Sequence, residues 1–487
     1  MESILSLQPM IASFLPLLAI PGILTARTSN LREAWTFAAA LTLVTAVICM
    51  APAVLAGTTY TWVALNVLPG LPIAFRADPL GLLFALVAST LWVVTTIYSI
   101  GYMRSLNEHA QTRFYGFFAV AIFCAVGVAF SANLLTLYLF YELLSFSTYP
   151  LVTHHQDEES RKAGRKYVAF IVGTSIGLVL PAMVILNQIA GTLDFTSGGI
   201  DLSGANPWLV SVLFGVIIFG FAKSAIMPMH AWLPAAMVAP TPVSSLLHAV
   251  AVVKVGVFSV LRVVTGIFGA QTMHQYGLDH FLTTVAAVTL LVASLIALSQ
   301  DGLKRRLAFS TIGQLSYIVL GAGLLNAAGV TGGMVHIAMH AFGKITLFFC
   351  AGAIFVATGE KYISRMKGIG RRMPWTMGAF FVGSLSIIGI PPTGGFISKW
   401  FLLNGCLDSG QLILAVVLLG SSLLNAAYFL PIVYRAWFCP PDEAQFQGPV
   451  KEAPLGCVLP PLITAGISVL LFFHPGPFLT LARMAFP

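Results

Sequence analysis

Fourteen apolar segments, each long enough to cross a lipid bilayer, succeed one another along the 487 residues of this chain. They run approximately over 10–25, 35–56, 80–102, 114–131, 132–151, 167–191, 208–237, 242–266, 282–299, 307–325, 329–358, 376–403, 411–436 and 454–473. A helix rising 1.5 Å per residue needs roughly 20 apolar residues to span the hydrocarbon core. So many spanning runs exclude a soluble fold, and the bulk numbers agree: 58% hydrophobic, 9% charged, mean hydropathy +0.90. The fold class expected is an all-α polytopic membrane protein of about 14 transmembrane helices. Residues 1–9 carry no basic stretch and lead to no small-residue cleavage site, so the first segment is expected to be a retained helix rather than a signal peptide.

Basic residues collect on the cytoplasmic side of membrane proteins, so the connections test the count. With odd-numbered connections placed inside, eighteen Lys and Arg fall there: Arg27 and Arg32, Arg104 and Arg113, four over 161–166, Lys304 to Arg306, five over 361–372, and Arg435 with Lys451. The opposite face holds three, Arg76, Arg262 and Arg483. This asymmetry predicts both termini outside a bacterial-type cytoplasmic membrane. The net charge of +8 is thereby a record of topology, and no nucleic-acid partner is expected. The six cysteines show no C-x-x-C spacing, and neither a G-x-G-x-x-G nor a P-loop occurs, so no cofactor and no chemical active site is expected.

The remaining four lysines, Lys223, Lys254, Lys344 and Lys399, lie inside the apolar segments, and so does one acid, Glu142. Each charge facing lipid at the bilayer centre costs about 2.5–3.5 kcal/mol, so the five are expected to face one another or water inside the bundle. Glu142 is too short to snorkel. Lys254 is roughly 18 Å from either end of its segment. His336, His340 and Lys344 recur at i, i+4 and i+8, one helical stripe suited to passing protons, since imidazole titrates nearest neutral pH. The alternative for the two histidines is core hydrogen bonding. A metal is not expected there, because no carboxylate or thiolate joins them. His248 belongs between Lys223 and Lys344 in any relay, and His230 divides between a proton role and capping freed backbone.

Two segments are interrupted by proline beside a lysine. Pro228 and Pro234 follow Lys223, and Pro391-Pro392 precedes Lys399. Proline removes a backbone bond and clashes with the preceding turn, and irregular backbone survives at membrane depth only when buried or lining a polar cavity. Interrupted helices in matching positions of two five-helix blocks point to a repeat transporter with its site between the halves. The organisation expected is 1–113 (helices 1–3), 114–266 (first block, helices 4–8), 282–436 (second block, helices 9–13) and 437–487 (helix 14).

The stretches LYLFYELLSFSTYPL (137–151), AKSAIMPMHAWLPAAMVAPTPVSSLLHAVAVVKVGVF (222–258), DGLKRRLAFSTIGQLSY (301–317), HAFGKITLFF (340–349) and GIPPTGGFISKW (389–400) resemble the antiporter-like membrane subunits shared by respiratory complex I, membrane-bound hydrogenases and Mrp-type cation/proton antiporters. The likeness covers about 115–435 and is strongest to the D-type member of the Mrp antiporters. It implies two inverted five-helix repeats with broken seventh and twelfth helices. It also implies a relay in which Glu142 and Lys223 match the charged pair, Lys254 and Lys344 the centre, and Lys399 the gate to the opposite side. Where many relatives carry an acid after Trp232-Leu233-Pro234, this chain has Ala235. The function expected is proton translocation, with sodium or potassium open as a second ion. It would take place within a multisubunit antiporter or the membrane arm of an NADH:quinone oxidoreductase-like or hydrogenase complex, whose other membrane subunits are the expected partners. The alternative is a self-sufficient proton-coupled transporter of a small solute.

Overall fold

The structure is a computed structural model and describes residues 2–68, 70–440 and 451–486. Part of the connection before the last apolar segment, 441–450, and the final Pro487 lie outside the described residues. All fourteen segments form helix along all or part of their length: α1 Gln8–Thr25, α2 Ser29–Leu55, α3 Pro79–Ser105, α4 Gln111–Ala129, α5 Leu134–Val152, α6 Glu158–Ala190, α7 Pro207–Gly220, α8 Thr241–Gln275, α9 Leu278–Ser299, α10 Leu303–Leu324, α11 Ala327–Thr358, α12 Pro374–Ile388 with α13 Gly394–Asp408, α14 Leu412–Phe438 and α15 Leu455–Phe473. Eleven of these are long and apolar enough by themselves to cross a membrane. α5 is diluted by Glu142 and its Ser, Thr and Tyr residues, and α7 and α12 are cut short by the breaks. The protein is thus a multi-pass helical membrane protein.

The starts of the helices follow from local chemistry. Thr28, Asp78, Asn133, Asp157, Asn206 and Asn326 each accept a hydrogen bond from a backbone N–H of the first turn, the group an isolated helix leaves unsatisfied. Asp78 has a second task, accepting two 2.6 Å hydrogen bonds from the guanidinium of Arg262. Burial alone would raise its carboxyl, but Arg262 and Arg76 overrule it and hold Asp78 below the usual range. Arg262, read from the sequence as a residue of the outer face, is therefore a buried structural partner within α8.

Two features go beyond the all-α expectation. β1 (Glu2–Leu5) pairs in parallel with β2 (Thr58–Leu68), which pairs antiparallel with β3 (Leu71–Ala77), Tyr60 opposite Ala77. The β-branched and aromatic run from Thr58 to Val63 favours this. A short helix, α16 (Gly476–Ala485), follows α15.

The core is built around α11, an unbroken 32-residue helix packed against α3, α10, α12, α13 and α15. The apolar stretch of α10 is buried throughout and that of α8 almost throughout, whereas α2, α6 and α14 bury a third or less of theirs. On α14 the exposed Leu412, Val416, Leu419 and Leu423 form one stripe, as expected of a face turned to acyl chains.

Both interruptions are present. α7 stops at Gly220, and the chain runs through Lys223 and a left-handed Ala225 (φ +56°) before a single helical turn at Trp232–Ala235. Gly256 of α8 makes this possible: a Cβ there would stand 2.2 Å from backbone atoms of Lys223 and Ser224. At the second break α12 ends on Gly389 (φ +88°) and helix resumes at Gly394. α8 is itself irregular, with wide turns at Leu246–Val250 and Val264–Phe268 bracketing Lys254. Such π-turns recur at functional sites.

Candidate functional site

The break after α7 brings Lys223 against α5. Its Nζ donates to Tyr141 O (2.6 Å) and Ser145 Oγ (2.7 Å) and stands 3.2 Å from the centroid of the Tyr141 ring. Its backbone N–H donates to Tyr141 Oη at 3.1 Å, and Trp232 Nε1 closes the turn by donating to Ala222 O. Glu142 is beside this site, close enough for its charge to act on Lys223, but the two form no ion pair. Both Glu142 carboxyl oxygens are covered and lack a hydrogen-bond partner. The expected charged pair is therefore apart in this conformation.

The centre is formed by α8 and α11. Lys254 Nζ and His340 Nδ1 are 2.6 Å apart, both side chains buried. The rings of His340 and His336 lie nearly parallel with centroids 5.8 Å apart, and His336 Nδ1 is 2.8 Å from Ser398 Oγ. The i, i+4 stripe thus connects α8 to α13 through two imidazoles whose Nε2 atoms have no partner. His248 is buried against Phe348 with both ring nitrogens unpartnered, and the charges that reach it are those of Lys344 and Lys304. Among the described residues no hydrogen bond joins His248 to Lys223 or to Lys344. Nor does any hydrogen bond among the described residues bridge Lys223 and Lys254, or Lys254 and Lys344, whereas Lys344 and Lys399 are joined.

Lys344 Nζ donates to Ser310 Oγ (2.7 Å), which lies 2.9 Å from Tyr428 Oη and can donate to it, and Tyr428 Oη donates to Asn425 Oδ1. Asn425 Nδ2 donates to Ile387 O (3.4 Å), one of the carbonyls freed by the second break, and Lys399 Nζ donates to the same oxygen at 2.9 Å. Lys399 also bonds Ile388 O (3.0 Å) and Ser422 Oγ (3.1 Å) and sits 4.5 Å from the ring centroid of Tyr317. A hydrogen-bonded path through neutral groups therefore joins two lysines on different helices. Ser310, Asn425 and Tyr428, like Tyr141 and Ser145, were not singled out from the sequence. The available signal was polar residues spaced i, i+3 and i+4 within apolar helices. His230 is half-exposed, with Nδ1 covered and unpartnered, and Ala235 ends the turn after Pro234.

Residues 131–425 match the family described as NADH:quinone oxidoreductase/Mrp antiporter, TM, and residues 62–115 match the N-terminal region of NADH-ubiquinone oxidoreductase (complex I) chain 5. The chain is 32% identical over 426 residues to NADH-quinone oxidoreductase subunit N of Desulforudis audaxviator, covering 84% of each protein. It is 30% identical to hydrogenase-4 component B of Escherichia coli, with 82% of this chain aligned to 62% of that one. Against the antiporter subunit mnhA2 of Staphylococcus aureus it is 29% identical and spans 53% of the longer relative. The same fold is found in a chain of the Mrp complex from Dietzia sp. (TM-score 0.84, 21% identity, 98% and 97% coverage) and in one of an archaeal membrane-bound sulfane sulfur reductase (0.83, 24%, 98% and 95%). This protein belongs to the NADH:quinone oxidoreductase/Mrp antiporter transmembrane family.

Proposed function

We propose that this chain is a proton-translocating membrane subunit of a multisubunit assembly, working through a relay of Glu142, Lys223, His248, Lys254, His336, His340, Lys344 and Lys399. The observation that carries this is the way its lysines are held. Lys223, Lys254 and Lys344 are fully buried among apolar helices and Lys399 is partly buried, yet every Nζ is bonded to neutral acceptors and none to a carboxylate. A structural anchor has no use for four such amines, whereas intramembrane ionisable groups mark ion pathways. The names of the relatives, drawn from antiporters, quinone oxidoreductases and a hydrogenase, support an assembly of several membrane subunits in which protons, with or without sodium or potassium, are moved.

The chain is read as lying in a bacterial cytoplasmic membrane with both termini outside and fourteen crossings, 114–266 and 282–436 being the two five-helix blocks. The uneven distribution of basic residues supports that orientation. The alternative of a self-sufficient solute carrier is not favoured, since the surface cavity of about 510 Å³ near Asp201 and Asn206 is lined by none of the relay residues. The test is proton transport in vesicles of the native complex. Lys223→Ala and Glu142→Ala are expected to abolish transport while the subunits still co-purify. Unchanged transport in both variants removes the relay. Mass spectrometry of the same complex separates a redox enzyme, with flavin, iron-sulfur or nickel-iron partners, from an antiporter with membrane partners alone.

A further inference from the structure

The richest cluster of metal-ligating side chains lies outside the relay, where the connection between α3 and α4 meets the one between α5 and α6. Three imidazoles surround one carboxylate oxygen there. Glu108 Oε2 is 3.7 Å from His154 Nε2, 3.8 Å from His155 Nδ1 and 4.0 Å from His109 Nδ1. None of these separations is a hydrogen bond, and the ligand atoms of Glu108, His109 and His154 all lie within 4.8 Å of one another. His154 is completely buried, and neither of its ring nitrogens has a hydrogen-bond partner. Taking an imidazole out of water without a hydrogen-bond partner is unfavourable, so such a ring calls for something to bind.

We propose that Glu108, His109, His154 and His155 form a binding site for a divalent transition ion of the zinc class, joining the α3–α4 and α5–α6 connections. Three nitrogens and one carboxylate oxygen are a donor set suited to tetrahedral zinc. At metal–ligand distances of about 2.0–2.1 Å, tetrahedral ligands stand roughly 3.4 Å apart. The imidazole nitrogens are 3.7–4.0 Å from Glu108, and the ligand atoms of Glu108, His109 and His154 lie within 4.8 Å of one another, so side-chain rotations of about 1 Å or more would draw these three into a shell, with His155 Nδ1, 3.8 Å from Glu108, as the fourth donor.

The surroundings hold these residues in place. Arg113 Nη2 donates to His154 O at 2.8 Å and Gln111 Nε2 to Glu108 O at 3.1 Å. Asn107, Ala110 and Gln156, which bracket the two ligand pairs, all have left-handed backbone with φ between +48° and +60°. His109 and His155 are partly exposed, leaving an entry path. The ion would fix the segment that follows α5, the helix carrying Glu142 and the acceptors of Lys223.

The full chain, purified in mild detergent without a polyhistidine tag and stripped with a chelator, is incubated with Zn2+ alone and passed over a desalting column before elemental analysis. About one zinc per chain is expected, and Co2+ alone should give the intense visible bands of a tetrahedral site. The double variant His109→Gln/His155→Gln, altered only at partly exposed side chains and checked for an unchanged gel-filtration profile, should retain less than a tenth of the metal. His154→Gln should do the same, and His274→Gln should retain as much as the unaltered chain. Failure of the unaltered chain to retain zinc overturns the proposal, as does equal retention by the folded double variant.

Discussion

At the break after α7, Lys223 is bonded to another helix, through Tyr141 O and Ser145 Oγ of α5; at the break after α12, Lys399 turns back onto Ile387 O and Ile388 O, the carbonyls its own interrupted segment has freed. The first lysine is placed by the packing of two helices, the second by the break itself. Glu142 shares α5 with both acceptors of Lys223, so a small displacement of α5 changes the lysine's hydrogen bonds and its distance from the carboxylate together. Lys399 has no carboxylate bonded to it among the described residues, and its contacts from other helices are Ser422 of α14 and the ring of Tyr317 of α10. In the proposed relay the first half would then hold the adjustable element and the second a fixed terminus, since packed interfaces switch between discrete arrangements rather than deform smoothly.

The most severe test is applied to the backbone that supports each lysine. Gly256→Ala places a Cβ 2.2 Å from Lys223 C and Ser224 N, rigid backbone that must be driven off α8. A loss of about 3 kcal/mol is expected, with roughly hundredfold slower transport. Gly389→Ala meets only the movable Lys399 Cδ at 2.6 Å and pays for its positive φ, about 1–2 kcal/mol. Thermal unfolding of both variants in detergent, alongside vesicle transport, measures the gap, and equal losses would break the comparison. A milder pair removes one hydroxyl from each lysine. Ser145→Ala leaves Lys223 with a single acceptor and should slow transport about tenfold, whereas Ser422→Ala leaves Lys399 two carbonyls and should cost about twofold or less. The reverse order of transport rates would place the adjustable lysine in the second half.

That asymmetry was not legible in the sequence, although its ingredients were. The spans, the four inserted lysines, Glu142 and the proline breaks stand out because a charge or a proline in an apolar run is conspicuous in one dimension. Which acceptor each lysine takes is decided by interhelical geometry. Ser145 illustrates the difficulty: its Oγ also donates to Tyr141 O at 3.2 Å, the local bond that hydroxyls in helices ordinarily make, so residue type alone does not reveal that it also serves Lys223. His248, expected between Lys223 and Lys344, is carried by the wide turn at Leu246–Val250 and packs on Phe348, a contact that chain position does not reveal. The sheet over Thr58–Ala77 lies in a connection between apolar runs, where the hydropathy pattern that marks the spans is silent, and Glu108 and His154 become neighbours only when two connections fold together.

The smallest effect expected is a difference in acid sensitivity between the two breaks. α5 ends at Val152, and two residues on is His154, buried beside Glu108, His109, His155 and Arg113 and pushed by burial to about 4. An unfolded histidine takes its proton near 6.5, so the folded segment binds fewer protons than the unfolded one between roughly pH 6.5 and 4. Its stabilising share is therefore whole above about pH 6.5 and shrinks as the pH falls toward 4. With solvent reaching His109 and His155, the part felt by α5 at pH 5 is about 1 kcal/mol, close to fivefold in local opening. Hydrogen exchange of the metal-free chain, corrected for the intrinsic pH dependence of the chemistry, should show residues 141–153 opening about fivefold more at pH 5 than at pH 7. Residues 387–399 have no histidine in their own sequence and are met by one from α11, His336 at Ser398; they should change less, and His154→Gln should bring the two responses together. Matching acid responses in the unaltered chain would mean that α5 is held as firmly as the second break, and Lys223 would then lose its claim to be the adjustable member of the pair.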